Sequence, residues 1–241
     1  MTNEEFANEF QVLYNNITSD GAPGLDSYEI SVFLTKAQDE LVKNHFSPQS
    51  KGNSLQLGFD DSAKRQADFS SLLRTAKCSR VTGSYERIDS RSEVWEMPED
   101  IFIPVHETLL TTSHRTLQVI PVSYAEYMRL MAQPYKRPLR DHAWRLAGNN
   151  IGSGGTQAEI ITEAGLKTES YTVRYVKRPV PIILEDLDGL TIGGLSEKTE
   201  CELPPILHEE LLQRAAELAK TAWMADPNEQ QLQTASGTRS E

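Results

Sequence analysis

Five histidines, His45, His106, His114, His142 and His208, are the side chains of this sequence best suited to ligate a metal or carry a proton near neutral pH. No two stand at HxxxH or HExxH spacing, which would aim both rings at one ion from a single helix face. Cys78 and Cys201 form no CxxC pair and read as free thiols in a reducing compartment. Cys78 lies between Lys77 and Arg80, whose charge would favour a thiolate, but the basic end of a helix explains these residues more simply. The TGS at 82–84 is not a nucleophile elbow. The loop GNNIGSGG at 148–155 has no Lys-Ser/Thr and no helix behind it, so it reads as a hairpin loop, not a phosphate cradle. Adjacent acids (Asp60–Asp61, Glu99–Asp100, Glu185–Asp186, Glu209–Glu210) diverge on a helix or a strand and make no acid/base dyad. No catalytic residue, cofactor or metal site is assigned.

The basic stretch from Arg129 to Arg145 is the strongest patch. Arg129, Lys136, Arg137, Arg140 and Arg145 are interleaved with Tyr135 and Trp144. Such a patch could touch a nucleic-acid backbone, meet an acidic surface on a neighbouring subunit, or stand solvated. The second reading is preferred because the chain supplies its own acids. Residues 1–59 carry a net charge of −5, 60–184 of +2 and 185–241 of −8, within a total of −11. Self-association between unlike faces is therefore expected, and general nucleic-acid binding is disfavoured. No apolar run approaches the roughly 18 residues of a membrane helix. The acidic start, MTNEEFANEF, lacks the features of a signal peptide, so a cytosol-like site of synthesis is expected.

These residues must be positioned by a mixed set of elements. Phe6, Phe10, Leu13, Tyr14 and Ile17 mark one face of a helix from Asn3 to Ile17. Asp26 and Glu29 form a capping box for a second helix to about Phe46, which Pro48 ends. A third helix is expected after Asp60, Asp61 or Ser62, with Ala63, Ala67 (or Phe69), Leu72, Leu73 and Ala76 as its stripe. Val94–Glu107 and Leu117–Val122 read as strands. Ser123 and Glu126 cap a helix to Ala132. His142–Leu146 and Thr156–Thr162 flank the Gly-rich loop as a hairpin, and Ser170–Arg178 is a strand that Pro179 and Pro181 terminate. Leu184–Glu202 reads as irregular and acidic, and Pro204 and Pro205 open a last helix through Ala225. The expected fold is α+β: a helical bundle, N-terminal helices plus a returning C-terminal helix, with an inserted antiparallel β layer. The expected divisions are 1–80 helices, 81–184 β-rich insertion with one helix, 185–225 acidic connector and closing helix, and 226–241 flexible tail.

Four stretches come in one order: EMPEDIFIPVHETL, VIPVSYAEYMRLMAQPYKRPLRDHAWRL, YTVRYVKRPVPIIL and CELPPILHEELLQRAAELAK. The series, over residues 1–225, resembles the ring proteins of crAss-like phages and, more distantly, the head-to-tail adaptors of short-tailed phages. The resemblance implies a non-enzymatic virion structural protein that forms a dodecameric ring beneath the portal protein, with neighbouring tail rings as partners and viral DNA passing through its bore. It implies assembly in the host cytoplasm and no membrane partner. On the family's pattern Pro204, His208 and Glu209 open the last helix and Pro179 and Pro181 close the preceding strand, as structural positions. A monomeric tail-completion or assembly factor is the alternative; a hydrolase with an unrecognised site ranks below it.

Overall fold

The computed structural model describes residues 1–17, 24–46, 69–82, 87–89, 91–138, 141–147, 157–163 and 166–223. In chain order the described elements are α1 (Asn3–Ile17), α2 (Ser27–Phe46), β1 (Leu73–Arg80), β2 (Glu93–Glu96), β3 (Ile101–Thr111), β4 (Thr116–Pro121), α3 (Tyr124–Met131), β5 (His142–Ala147), β6 (Gln157–Ile161), β7 (Thr168–Lys177) and α4 (His208–Trp223). Short 3-10 turns stand at Pro134–Lys136 and Pro205–Leu207. The chain divides into two compact units, one of Met1–Ser71 with Pro179–Glu241, the other of Leu72–Arg178.

In the first unit α4 packs against both α1 and α2. Phe6, Phe10 and Tyr14 from α1, Ile30, Leu34, Ala37, Leu41 and Val42 from α2, and Leu211, Leu212, Ala215, Ala216 and Ala219 from α4 are buried. Their spacing of three and four residues gives each helix one apolar stripe, whose removal from water drives the packing. The Asp26–Glu29 capping box forms as expected: Glu29 N donates to Asp26 Oδ1 at 2.7 Å and Asp26 N to Glu29 Oε2 at 3.1 Å. Arg214 of α4 donates to both carboxylate oxygens of Glu40 on α2, at 2.7 and 3.0 Å.

The second unit is a closed barrel of seven strands in the order β1-β2-β6-β5-β4-β3-β7. Every pairing is antiparallel except β4 with β5, which are parallel and joined through α3. Alternate residues line the interior: Cys78, Trp95, Leu109, Leu117, Val119, Ala143, Ala158, Ile160, Tyr171, Val173 and Tyr175. The opposite face of β5 and β6 gives Trp144, Leu146 and Ile161, which pack with Val122, Tyr127, Leu130 and Met131 at α3. Pro104 sits at a register shift between β3 and β7, where the missing N–H breaks no regular ladder.

The expected helical bundle with an inserted β layer is overturned by this closed barrel. The third expected helix fails where it is described. Leu72, Leu73 and Ala76 fit a helical period, yet residues 73–80 are a strand paired with β2 on one side and β7 on the other. Ala76 and Cys78, two apart, face the barrel core. Val94–Glu107 is likewise two strands, separated by the turn at 97–100. Residues 60–68, the start of that expected helix, lie outside the described residues, as do the 148–156 loop and the tail from 224.

Candidate functional site

The histidines are dispersed. His106 on β3 and His114 in the β3–β4 turn are exposed, His142 is half-buried and His208 is buried; the His45 side chain lies outside the description. Among the described residues no three His, Cys, Asp or Glu side chains are grouped to hold a metal ion. Cys78 lies on a strand, not at a helix end, and burial, with the nearby Glu107 carboxylate adding to it, pushes its thiol up to about 12. Burial also raises Cys201, to about 11. Neither is a poised nucleophile. The Asp100 carboxylate accepts from the Tyr175 hydroxyl at 2.8 Å, while Glu185, Asp186, Glu209 and Glu210 are exposed.

Two polar networks fix the barrel instead. Inside it Arg145 Nε donates to Glu107 at 2.8 and 3.1 Å, and the Tyr171 hydroxyl donates to Glu107 Oε2 at 2.6 Å. Burial and the Glu107 charge raise the Tyr171 pKa, so its proton stays on the bond. Beside α3, Glu159 accepts from Ile88 N, Asp89 N and Ser92 Oγ, which anchors the segment before β2. Asp89 then takes the Arg91 guanidinium at 2.6 Å and the Tyr127 hydroxyl at 3.0 Å. The hydrogen bond from Arg91 is the main cause holding the Asp89 carboxyl down at about 2.

Pro179 and Pro181 follow β7 and begin an extended segment in the first unit. Among the described residues its backbone has only an isolated bridge, Ile183 with Thr199. Polar side chains at i, i+4 and i+7 on α2 serve it: Ser31 Oγ accepts from Leu184 N at 3.1 Å, Thr35 Oγ1 from Ile182 N at 3.1 Å, and Gln38 Nε2 donates to Val180 O at 2.8 Å. From α1, Asn3 Nδ2 donates to Ile183 O at 2.9 Å and Thr199 O at 3.0 Å. The sequence reading missed this stripe, although three polar residues on one edge of an otherwise apolar helix face were its signal.

Residues 185–200 hold no helix or strand, in keeping with the irregular connector expected at Leu184–Glu202, and form an arm tied by local hydrogen bonds. Ile192 and Leu195 exchange backbone hydrogen bonds at 2.9 and 3.1 Å across Gly193-Gly194. Both glycines have positive φ, 60° and 86°, the requirement of a two-residue hairpin turn that L side chains resist. A Cβ at Gly193 would also lie 3.3 Å from Pro181 Cγ. Lower in the arm Leu187 N donates to Ser196 O at 2.8 Å and Lys198 N to Asp186 Oδ1 at 2.7 Å. Pro204 caps the 3-10 turn that leads into α4, and His208 starts that helix. His208 Nε2 is 2.9 Å from Leu203 O, a pure acceptor, so this nitrogen carries the proton. Nδ1 is 3.0 Å from the Met1 amino nitrogen and the ring packs on Phe6 at 5.0 Å. Burial lowers the His208 pKa.

The five basic candidates do not all belong to one site. Arg129 on α3 is exposed and 4.0 Å from Glu126, Lys136 is exposed in its 3-10 turn, and Arg137 donates to Met131 O at 3.2 Å from an exposed position. Arg140 lies outside the described residues. The Arg145 side chain is 13% exposed and Glu107 5%, so Arg145 is committed inside the barrel.

The described residues bring no three potential metal ligands together, and comparison with known proteins gives the kind of protein. The model of the phage tail ring protein 3/4 family matches residues 1–231, and the chain belongs to that family. It is 46% identical over 231 residues to "Ring protein 4/5" of Bacteroides phage crAss001, covering 94% of this chain and 95% of the relative. It is 33% identical over 230 residues to "Ring protein 3" of the same phage, covering 91% and 95%. The chain is a crAss-like phage ring protein, a structural protein of the phage tail. No described helix is long and apolar enough to cross a membrane.

Proposed function

We propose that this chain is a non-enzymatic ring subunit of the portal–tail junction, docked on the portal protein and on neighbouring tail rings, with viral DNA sliding through its bore. One observation carries the reading: charge is divided between the two units. Met1–Ser71 with Pro179–Glu241 holds 23 acids and 9 bases, net −14, and Leu72–Arg178 holds 12 acids and 15 bases, net +3. Unlike faces on one chain favour a heterologous head-to-tail contact, the kind that closes into a ring. Acidic walls would repel phosphate and let DNA pass without sticking. Arg129, Lys136 and Arg137 are the basic contributors; Arg145 is left out because Glu107 matches its charge. Pro179, Pro181, Pro204 and His208 hold the acidic arm and the start of α4 in place.

Native mass spectrometry of the full chain, alone and with portal protein, tests this. Rings of one size, dodecameric as the resemblance implies, should form and load onto portal at a fixed multiple. A chain that binds portal as a monomer, or not at all, would refute the adaptor role.

A further inference from the structure

We propose that the exposed surface formed by α3 and the following 3-10 turn of one copy receives the 185–200 arm of the next copy. The inference rests on the ring reading above and names the contact that would close the ring. Met128 is 70% exposed and Tyr135 95% exposed, the largest exposures among the described bulky apolar side chains. Arg129, Lys136 and Arg137 surround them in sequence and are exposed too. Tyr, Met and Arg together are the composition enriched at the centres of protein interfaces. Holding Met128 and Tyr135 in water costs hydrophobic free energy that a partner would recover.

The arm supplies the complementary chemistry. It presents Leu190 at 49% and Leu195 at 42% exposure, between the carboxylates of Glu185, Asp186, Asp188, Glu197 and Glu200, with Lys198 as its one base. Its shape is set before binding, by the Gly193-Gly194 turn and the Lys198–Asp186 and Leu187–Ser196 hydrogen bonds. Little ordering entropy then remains to be lost on contact. Two α3 surfaces facing each other would oppose like charges, and so would two arms. Only the mixed pairing puts cations against carboxylates and apolar side chains against leucines, and a mixed pairing is directional.

The experiment uses the full chain in two variants, Met128→Cys and Leu190→Cys, mixed and mildly oxidised, with the unmodified chain as control. A disulfide should form between the two variants and not within either alone. The double variant should give a ladder of covalent multimers up to the ring. Arg137→Glu should raise the concentration needed for ring assembly about tenfold at low salt and less at high salt, and Asp188→Arg in the same chain should restore it. If the unmodified chain forms rings but the mixed cross-link is absent, or like pairs cross-link as well as mixed pairs, this contact is wrong while the ring reading stands. If Arg137→Glu leaves rings intact and instead abolishes binding to duplex DNA, the surface is a nucleic-acid face and the proposal falls. If no rings form under any condition, both readings fall.

Discussion

Replacing Arg145 by Met separates a barrel residue from an interface residue. The substitution keeps most of the volume and removes the charge, leaving the Glu107 carboxylate, 5% exposed, with the Tyr171 hydroxyl as its one side-chain partner among the described residues. Removing one member of a buried ion pair costs about 3–5 kcal/mol, because the other charge stays desolvated. With a urea slope of about 2 kcal/mol per M, that is a midpoint lowered by about 1.5–2.5 M. Trp95 and Trp144 are buried in the barrel unit, so tryptophan fluorescence reports its unfolding. The triple variant Glu107→Leu, Arg145→Met, Tyr171→Phe removes all the polar partners together and should recover most of the loss, since apolar replacement of a buried ion pair is often neutral or stabilising. The measurement is made on dilute, unassembled chain. If Arg145→Met leaves the midpoint within about 0.3 M while abolishing ring assembly, the guanidinium acts between subunits and the barrel argument is wrong.

Gln38→Leu should cost about 1–3 kcal/mol by leaving Val180 O without its 2.8 Å donor; hydrogen exchange across 180–184 should quicken, and unchanged protection would reject the α2 stripe as a support. His208 gives a pH dependence. Its folded pKa lies below the ordinary 6.5, so the unfolded chain takes up a proton first. The stability it contributes is therefore full above about 6.5 and falls away as the pH drops below it. His208→Gln, which retains a donor for Leu203 O, should lose less melting temperature between pH 7.5 and 5.5 than the parent chain, and parallel curves would contradict this. With its thiol near 12, Cys78 should escape iodoacetamide at pH 8 until the chain is denatured, and rapid labelling of the folded chain would show the strand to be open.

The helices that carry strong local signals were legible. α2 announces itself through the Asp26–Glu29 box, and α3 through Ser123 and Glu126, whose reciprocal capping forms as read. The β5–β6 antiparallel pairing across the Gly-rich stretch was legible from its flanks. β1 was not. Its inward residues are Ala76 and Cys78, too weakly apolar to display a period of two, while Leu72, Leu73 and Ala76 imitate a helix. The parallel pairing of β4 with β5 and the closure through β7 depend on residues far apart in sequence, which no local pattern records. Arg145 failed for the same reason. A charge is ordinarily a surface residue, and what takes it inside is a carboxylate 38 positions earlier.

Closure of the barrel also restricts how copies can meet. An open sheet offers unpaired N–H and C=O groups along its edges, and neighbouring subunits can add strand to strand through them. Here each described strand has a neighbour on both sides, β1 pairing with both β2 and β7, so the barrel offers no whole edge strand. Subunit contacts made by this unit would then fall chiefly to side chains on the outside of the barrel and on α3. Backbone pairing is nearly indifferent to sequence, whereas side-chain contacts of opposite charge discriminate one partner from another and weaken with salt. Two relatives from one phage, at 46% and 33% identity to this chain, are both named ring proteins, and similar subunits made together would form separate rings only if their contacts discriminate. A barrel without a whole edge strand, recognised through an α3 surface and an acidic arm, allows that separation: exchanging a few exposed charges would redirect assembly and leave the fold intact.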